Sequence, residues 1–128
     1  MTIEQRAEQG AVYKRSCNCC LAVLYALADQ TGLSEEQLTQ LGSGFGLGMG
    51  NMEGTCGALV GAGMAAGLNP QSKAVARFGK QLNDNFRERC GAILCKDIKG
   101  RDSGKVLCSC EDCVRNAILA YGDVIGLR

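Results

Sequence analysis

Nine cysteines are the residues of this 128-residue chain whose type and spacing could do chemistry. They are Cys17, Cys19 and Cys20 near the start, Cys108, Cys110 and Cys113 near the end, and Cys56, Cys90 and Cys95 between these groups. Histidine is absent, which excludes Ser-His and Cys-His catalytic pairs and mixed Cys/His zinc sites. In a reducing compartment so many cysteines indicate metal or redox chemistry, whereas isolated free cysteines would only be small core residues.

The remaining composition excludes several kinds of partner. The net charge is +1 with mixed signs, so there is no basic stripe for nucleic acid and no lysine-rich tail for a membrane surface. The acidic start lacks the apolar segment of a signal peptide. The sequence also has no run of about 18 apolar residues, the length that a membrane-spanning helix needs. We therefore expect a single soluble, cytoplasmic domain over residues 1–128.

A glycine-rich stretch from Gly42 to Gly57 contains seven glycines in sixteen residues. This density predicts irregular backbone with several positive φ angles and a close approach to another group. The stretch lacks Gly-Lys-Ser/Thr, does not match Gly-x-Gly-x-x-Gly and does not follow a strand, which argues against nucleotide binding. Its glycines would instead let backbone N–H groups approach anionic sulfur.

The rest of the chain carries helix signals, and no segment alternates as a strand would. The predicted helices follow caps at Thr2, Asn18, Ser34, Thr55, Asn69-Pro70 and Ser109. The first five end near Arg15, Gln30, Leu41, Gly67 and Arg89. Residues 92–95 could form one helical turn, and residues 96–105 read as a surface loop. The predicted fold is all-α, a compact bundle of five or six helices with a central glycine-rich loop. The small-residue helix after Thr55 should be buried, and it is the one feature that would favour a homodimer.

Three cysteines, Cys19, Cys56 and Cys110, each stand directly after a predicted helix cap. The free backbone N–H groups and the positive end of the helix dipole favour thiolate at that position. The sequence therefore predicts a lowered pKa for these three thiols, and thiolate is the form that binds metals and attacks disulfides.

Four segments carry a resemblance to a known family. They are Asn18-Cys19-Cys-Leu-Ala-Val-Leu24, Ser43-Gly-Phe-Gly-Leu-Gly-Met-Gly50 with Cys56-Gly-Ala-Leu-Val-Gly61, Cys90-Gly-Ala-Ile-Leu-Cys95, and Cys110-Glu-Asp-Cys-Val-Arg115. Through them the chain resembles, over about residues 7 to 122, the C_GCAxxG_C_C redox-active proteins, which are related to a domain of split-Soret cytochromes. The chain departs at the central motif, where it has Thr55-Cys56-Gly-Ala58 and the family has Gly-Cys-Ala.

The resemblance implies redox activity and places the family cysteines at Cys19, Cys56, Cys95 and Cys110. The extra cysteines by this mapping are Cys17, Cys20, Cys90, Cys108 and Cys113.

Three functions follow as hypotheses. The first is an electron-transfer protein that binds an iron–sulfur cluster through Cys19, Cys56, Cys95 and Cys110 and works with a redox partner protein. The second is a thiol–disulfide oxidoreductase without a metal, in which Cys56 or Cys110 attacks and a neighbour such as Cys113 resolves. The third is a zinc-binding module with four thiolate ligands, and soft thiolates would also suit Cu(I).

Overall fold

The computed structural model describes residues 1–69 and 75–128, and these residues are predominantly helical. The α-helices are α1 (Ile3–Tyr13), α2 (Cys19–Ala26), α3 (Ala28–Thr31), α4 (Glu35–Gly42), α5 (Gly57–Leu68), α6 (Val75–Cys90), α7 (Cys95–Lys99) and α8 (Cys110–Ile125). The extended pairing within the described residues is one isolated antiparallel bridge, between Thr55 and Leu94. The all-α prediction is confirmed for this part of the chain. No helix found in it has both the length and the apolar character needed to cross a membrane.

Most predicted helix starts are confirmed by capping hydrogen bonds. The side chains of Thr2, Asn18, Ser34 and Ser109 each accept a hydrogen bond from the backbone N–H three residues later. The prediction at Thr55 is wrong by one residue, because α5 begins at Gly57 and its cap residue is a cysteine. Local side-chain chemistry therefore sets the start of four helices, including α2 and α8, which begin with Cys19 and Cys110.

The number of helices differs from the predicted five or six for two reasons. The helix predicted from Cys19 to Gln30 is broken at Leu27, whose φ of −108° and ψ of 17° separate α2 from α3. Helix α7 occupies residues predicted as loop, and its Ile98 is fully buried. The predicted start of a helix at Pro70 lies outside the described residues, whereas its end beside Gly91 is confirmed.

Helix α5 lies at the centre and packs against α2, α6 and α8. A Cβ at Gly61 would lie 2.8 Å from the carbonyl oxygen of Cys20, so the small-residue face of α5 lets α2 cross it closely. Fully buried Phe86, Ile118 and Tyr121 fill the core beside it. The prediction of a buried, closely crossed helix is confirmed.

The glycine-rich stretch is a chain of tight turns. A 3₁₀ turn covers Ser43–Phe45, and a π-helical turn covers Gly48–Met52. Positive φ angles occur at Gly48 and Gly50 and also at three non-glycine residues, Leu47, Met49 and Met52. A non-glycine residue with a positive φ angle carries about 1–3 kcal/mol of backbone strain, and such strain concentrates at functional sites. The segment is held in an unfavourable conformation next to the site described below.

Candidate metal and redox centre

Four cysteines from four distant parts of the chain line one cavity of about 120 Å³. We call Cys19, Cys56, Cys95 and Cys110 the cavity thiols. The rest of the cavity wall consists of Lys14, Asn18, Leu47, Gly48, Gly57 and Lys99. One water needs roughly 10–15 Å³ of such space. The cavity is therefore large enough for a group of several atoms.

Each cavity thiol stands at the N-terminus of a helix. Cys19, Cys95 and Cys110 are the first residues of α2, α7 and α8, and Cys56 is the cap residue of α5. Free backbone N–H groups and positive dipole ends are found at these positions. The fold thus directs four partial positive charges toward one set of sulfur atoms.

Asn18 positions Cys19, the first cavity thiol along the chain. Its side-chain oxygen accepts a hydrogen bond of 2.8 Å from the Leu21 N–H, which fixes the start of α2. Its amide nitrogen donates to the carbonyl oxygens of Gly42 and Ser43, both at 3.3 Å. A Cβ at Gly46 would overlap the Asn18 side chain, so the glycine stretch lies directly on this cap.

Cys56 and Cys95 are brought together by the isolated bridge. The Cys56 N–H donates to the Ile93 carbonyl at 2.7 Å, and the Cys95 N–H donates to the Gly54 carbonyl at 3.0 Å. A Cβ at Gly48 would overlap the Cβ of Cys95 and crowd the Gly54 carbonyl. The glycine stretch therefore allows two backbone segments to approach Cys95 more closely than any side chain would permit.

The protonation of the cavity thiols differs from the sequence prediction. A hydrogen bond from the Cys19 thiol, followed by one from Lys99, lowers the pKa of Cys110 to about 5 although burial opposes the shift. The pKa of Cys19 is raised because it donates to Cys110 and is buried. The pKa of Cys56 is also raised, by its hydrogen bond to Cys113 and by burial. The predicted lowering is right for Cys110 and wrong for Cys19 and Cys56, because burial and neighbouring thiols outweigh the helix dipole.

Lys99 is one of the two lysines in the cavity wall. Its Nζ lies 3.3 Å from the carbonyl oxygen of Cys108 and 3.6 Å from the Sγ of Cys113, and it also donates to Cys110. Burial lowers the pKa of Lys99, but the attraction of Cys113 and Cys110 outweighs burial and raises it. Lys99 therefore stays charged and favours thiolate in its neighbours.

A second group of thiols lies beside the cavity. The Sγ atoms of Cys90, Cys108 and Cys113 all lie within 4.8 Å of one another, and we call them the three-thiol cluster. Cys90 and Cys113 are buried, and Cys108 is half-buried. The Asn116 amide nitrogen donates to the Sγ of Cys90 at 3.3 Å and to the Sγ of Cys108 at 3.6 Å. Three of the five extra cysteines thus form a compact group with its own hydrogen-bond donor.

The two groups are connected through a hydrogen bond between Cys56 and Cys113. That bond lowers the pKa of Cys113, but its hydrogen bond with Cys90 and its burial outweigh the effect and raise the pKa. The arrangement therefore pairs Cys110 with Cys19, and Cys113 with Cys56 and Cys90.

The remaining two extra cysteines, Cys17 and Cys20, make structural contacts. The Cys17 thiol donates to the Tyr13 carbonyl at 3.1 Å. Cys20 is fully buried against α5, with its Sγ 3.9 Å from the Met64 sulfur, and burial raises its pKa to about 12. A thiol with so high a pKa is a poor nucleophile at neutral pH.

Sequence reasoning missed Lys14, Lys99 and Asn116 as members of the site. For two of these residues, the spacing from a cysteine along the sequence indicates a place at the site. Lys99 stands four residues after Cys95 and Asn116 three residues after Cys113, so each lies on the same helix face as a cysteine. Lys14 carries no comparable signal, because it precedes Cys19 across a break between helices.

The fold and the site together define a class: an all-helical protein whose helix N-termini meet at buried and half-buried thiols, suited to metal binding or thiol redox chemistry. A family model described as "Putative redox-active protein (C_GCAxxG_C_C)" matches residues 17–123, and the chain belongs to this family. No curated protein and no solved structure gives a significant match.

Proposed function

We propose that this protein transfers electrons through an iron–sulfur cluster bound by the four cavity thiols. The observation that supports the proposal is the convergence of Cys19, Cys56, Cys95 and Cys110 on one cavity. Iron–sulfur clusters are held by four thiolates, and their ligands can come from distant elements of a fold. A cavity about ten times larger than one water requires also suits a cluster better than a single ion.

The charges around the cavity fit such a cluster. Four thiolates around a dicationic cluster core leave two negative charges, and Lys14 and Lys99 in the cavity wall supply two positive ones. Net charge, hydrogen bonds to sulfur and solvent exposure set the potential of a bound cluster. Lys99 acts on both charge and hydrogen bonding, since it donates to Cys110.

When bound, the cluster would supply reversible one-electron transfer. The residues of this chain would hold it, shield it from water and offer one route to a partner. Leu47 lines the cavity and is 52% exposed, so a redox partner protein would approach the cluster most closely at this residue. A reducing, cytoplasmic setting would keep the thiols available for the cluster.

The test is anaerobic purification followed by iron and sulfide analysis. We expect iron and acid-labile sulfide in matched amounts, and a visible absorption that bleaches on reduction. Cys95→Ser and Cys110→Ser should lose most of the iron. Cys17→Ser is the matched control that should keep it, because the Cys17 thiol donates to the Tyr13 carbonyl and is not part of the cavity wall. A colourless protein that contains no iron, even after reconstitution, would refute the proposal.

Thiol–disulfide exchange is the second candidate, and it is favoured by the low pKa of Cys110 beside the thiol of Cys19. The Cys110 thiolate would attack a substrate disulfide and release one sulfur as a thiolate. Cys19 would pass its proton to the released substrate thiolate. The Cys19 thiolate would then attack the sulfur of Cys110 in the mixed disulfide and release the second substrate sulfur, which takes a proton from water. The substrate disulfide would be reduced by two electrons, and a Cys19–Cys110 disulfide would form.

The two candidates predict different results for the same protein. Exchange requires no metal and gives a reversible dithiol titration that Cys19→Ser and Cys110→Ser both abolish. If both variants kept full exchange activity, the second candidate would be excluded.

A further inference from the structure

We infer that the three-thiol cluster is a separate binding site for one thiophilic metal ion, Zn²⁺ or Cu⁺. None of Cys90, Cys108 and Cys113 is part of the wall of the cavity, so this site goes beyond the proposed cluster. Soft thiolate ligands select these ions among the common biological metals.

The spacing of the three sulfur atoms fits a single ion. Metal–sulfur bonds of about 2.3 Å in a tetrahedral site place the sulfur atoms about 3.8 Å apart. The three Sγ atoms already lie within 4.8 Å of one another, so each pair would contract by about 1 Å or less. Side-chain rotation can supply a movement of this size without a change in the backbone.

Three structural elements fix the cluster. Cys90 is the last residue of α6, and Cys113 lies in the first turn of α8. Cys108 comes from the connecting loop, which is attached to α7 by a hydrogen bond of 2.8 Å from the Leu107 N–H to the Ile98 carbonyl. The loop is attached a second time where Lys99 donates to the Cys108 carbonyl at 3.3 Å. The ligands are therefore preorganised by two packed helices and a loop that is attached to α7.

The surroundings of the cluster supply polar partners to its sulfur atoms. The Asn116 amide nitrogen donates to both Cys90 and Cys108, and the Nζ of Lys99 lies 3.6 Å from the Sγ of Cys113. All three sulfur atoms thus have a donor or a cation, which is the surrounding shell that orients and tunes metal ligands. With Zn²⁺ the three thiolates leave one negative charge, and Lys99, which also faces the cavity, lies beside it. A fourth ligand would complete the tetrahedron. With Cu⁺ the three thiolates suffice as ligands.

The experiment is an anaerobic competition titration with Zn²⁺ and, separately, Cu⁺, each against a chromogenic chelator. The starting protein is the full chain carrying Cys19→Ser and Cys110→Ser, which removes two cavity thiols and so abolishes the proposed cluster. We expect one equivalent of one of the two ions to bind. Adding Cys108→Ser should weaken binding more than 100-fold, because one of three ligands is lost. Adding Asn116→Ala should weaken it about 10–100-fold while all three ligands remain.

Cys17→Ser is the control variant and should leave the affinity unchanged. A second measurement covers the case in which the starting protein does not fold. In the otherwise unchanged chain, Cys108→Ser should lose bound zinc or copper and keep its iron, whereas Cys95→Ser should lose iron and keep the other metal. The inference is overturned if neither ion is held against the chelator, or if Cys108→Ser and Cys17→Ser bind equally well.

Discussion

The pH dependence of Cys110 alkylation in the metal-free protein is the sharpest consequence of the site's electrostatics. The pKa of this thiol is lowered from 9.0 to about 5, and the largest cause is the hydrogen bond from Cys19. At about pH 7 nearly all of a thiol of pKa 5 is thiolate, compared with about one per cent of an unperturbed thiol. The lower basicity of the sulfur, however, reduces its nucleophilicity about 40–100-fold and cancels most of that advantage.

The difference in alkylation rate between Cys110 and an unperturbed thiol therefore appears at acidic pH and not at neutral pH. At about pH 5.5 roughly three quarters of Cys110 would be thiolate, and after the loss of nucleophilicity it should react about 25–60 times faster than an unperturbed thiol. The assay is alkylation by iodoacetamide over a pH series, with the modified residue identified by mass spectrometry. The rate should be flat above about pH 6 and fall tenfold for each unit well below pH 5.

Cys19→Ala tests the cause of the shift. The variant removes the donor that lowers the pKa of Cys110, so the pH midpoint should move upward. Cys17→Ser is the control and should leave the midpoint in place. A wild-type midpoint near pH 9, or the same midpoint with and without the Cys19 thiol, would refute the reasoning.

Two pairs of glycine substitutions test how the backbone forms the cavity and the core. Gly48→Ala should cost about 2–4 kcal/mol of stability and reduce iron binding, because its Cβ would overlap Cys95 and its φ is +55°. Gly50→Ala is the matched control: its φ is +88° but it faces open space, so it should cost only about 1 kcal/mol and keep iron binding. On helix α5, Gly61→Ala should destabilise the fold by about 1–3 kcal/mol, because its Cβ would press on the backbone of α2. Gly63→Ala, which meets open space on the same helix, should stabilise it by about 0.5–1 kcal/mol.

Iron and sulfide analysis measures the first pair, and chemical denaturation measures the stability of all four variants. Equal iron content in the two loop variants would show that close approach to Cys95 is unimportant. A stabilising effect at both positions of α5 would contradict the close crossing of α2 and α5.

The parts of the fold that the sequence could predict are local. Asn18 and Ser109 were recognisable as caps because each bonds to a backbone N–H only three residues away. The same local logic placed Cys19 and Cys110 at helix starts. It also favoured Thr55 as a cap, and there the bridge to Leu94 draws the residue out of that role.

The parts that could not be predicted depend on contacts between distant residues. Cys56 and Cys95 meet through backbone hydrogen bonds across about forty residues, and nothing in either segment specifies that pairing. Cys90 and Cys108 meet because a loop is attached to α7 through Ile98, a residue that the sequence places in a surface loop and the structure buries. The pKa of Cys19 was mispredicted for the same reason, since the thiol that raises it comes from α8.

The central claim is that the four cavity thiols bind an iron–sulfur cluster. The most direct measurement is a crystal structure of anaerobically prepared protein with anomalous scattering at the iron and zinc edges. The account predicts an iron signal in the cavity between the sulfur atoms of Cys19, Cys56, Cys95 and Cys110. An iron signal at any other place, or an empty cavity in a protein with full iron content, would contradict it.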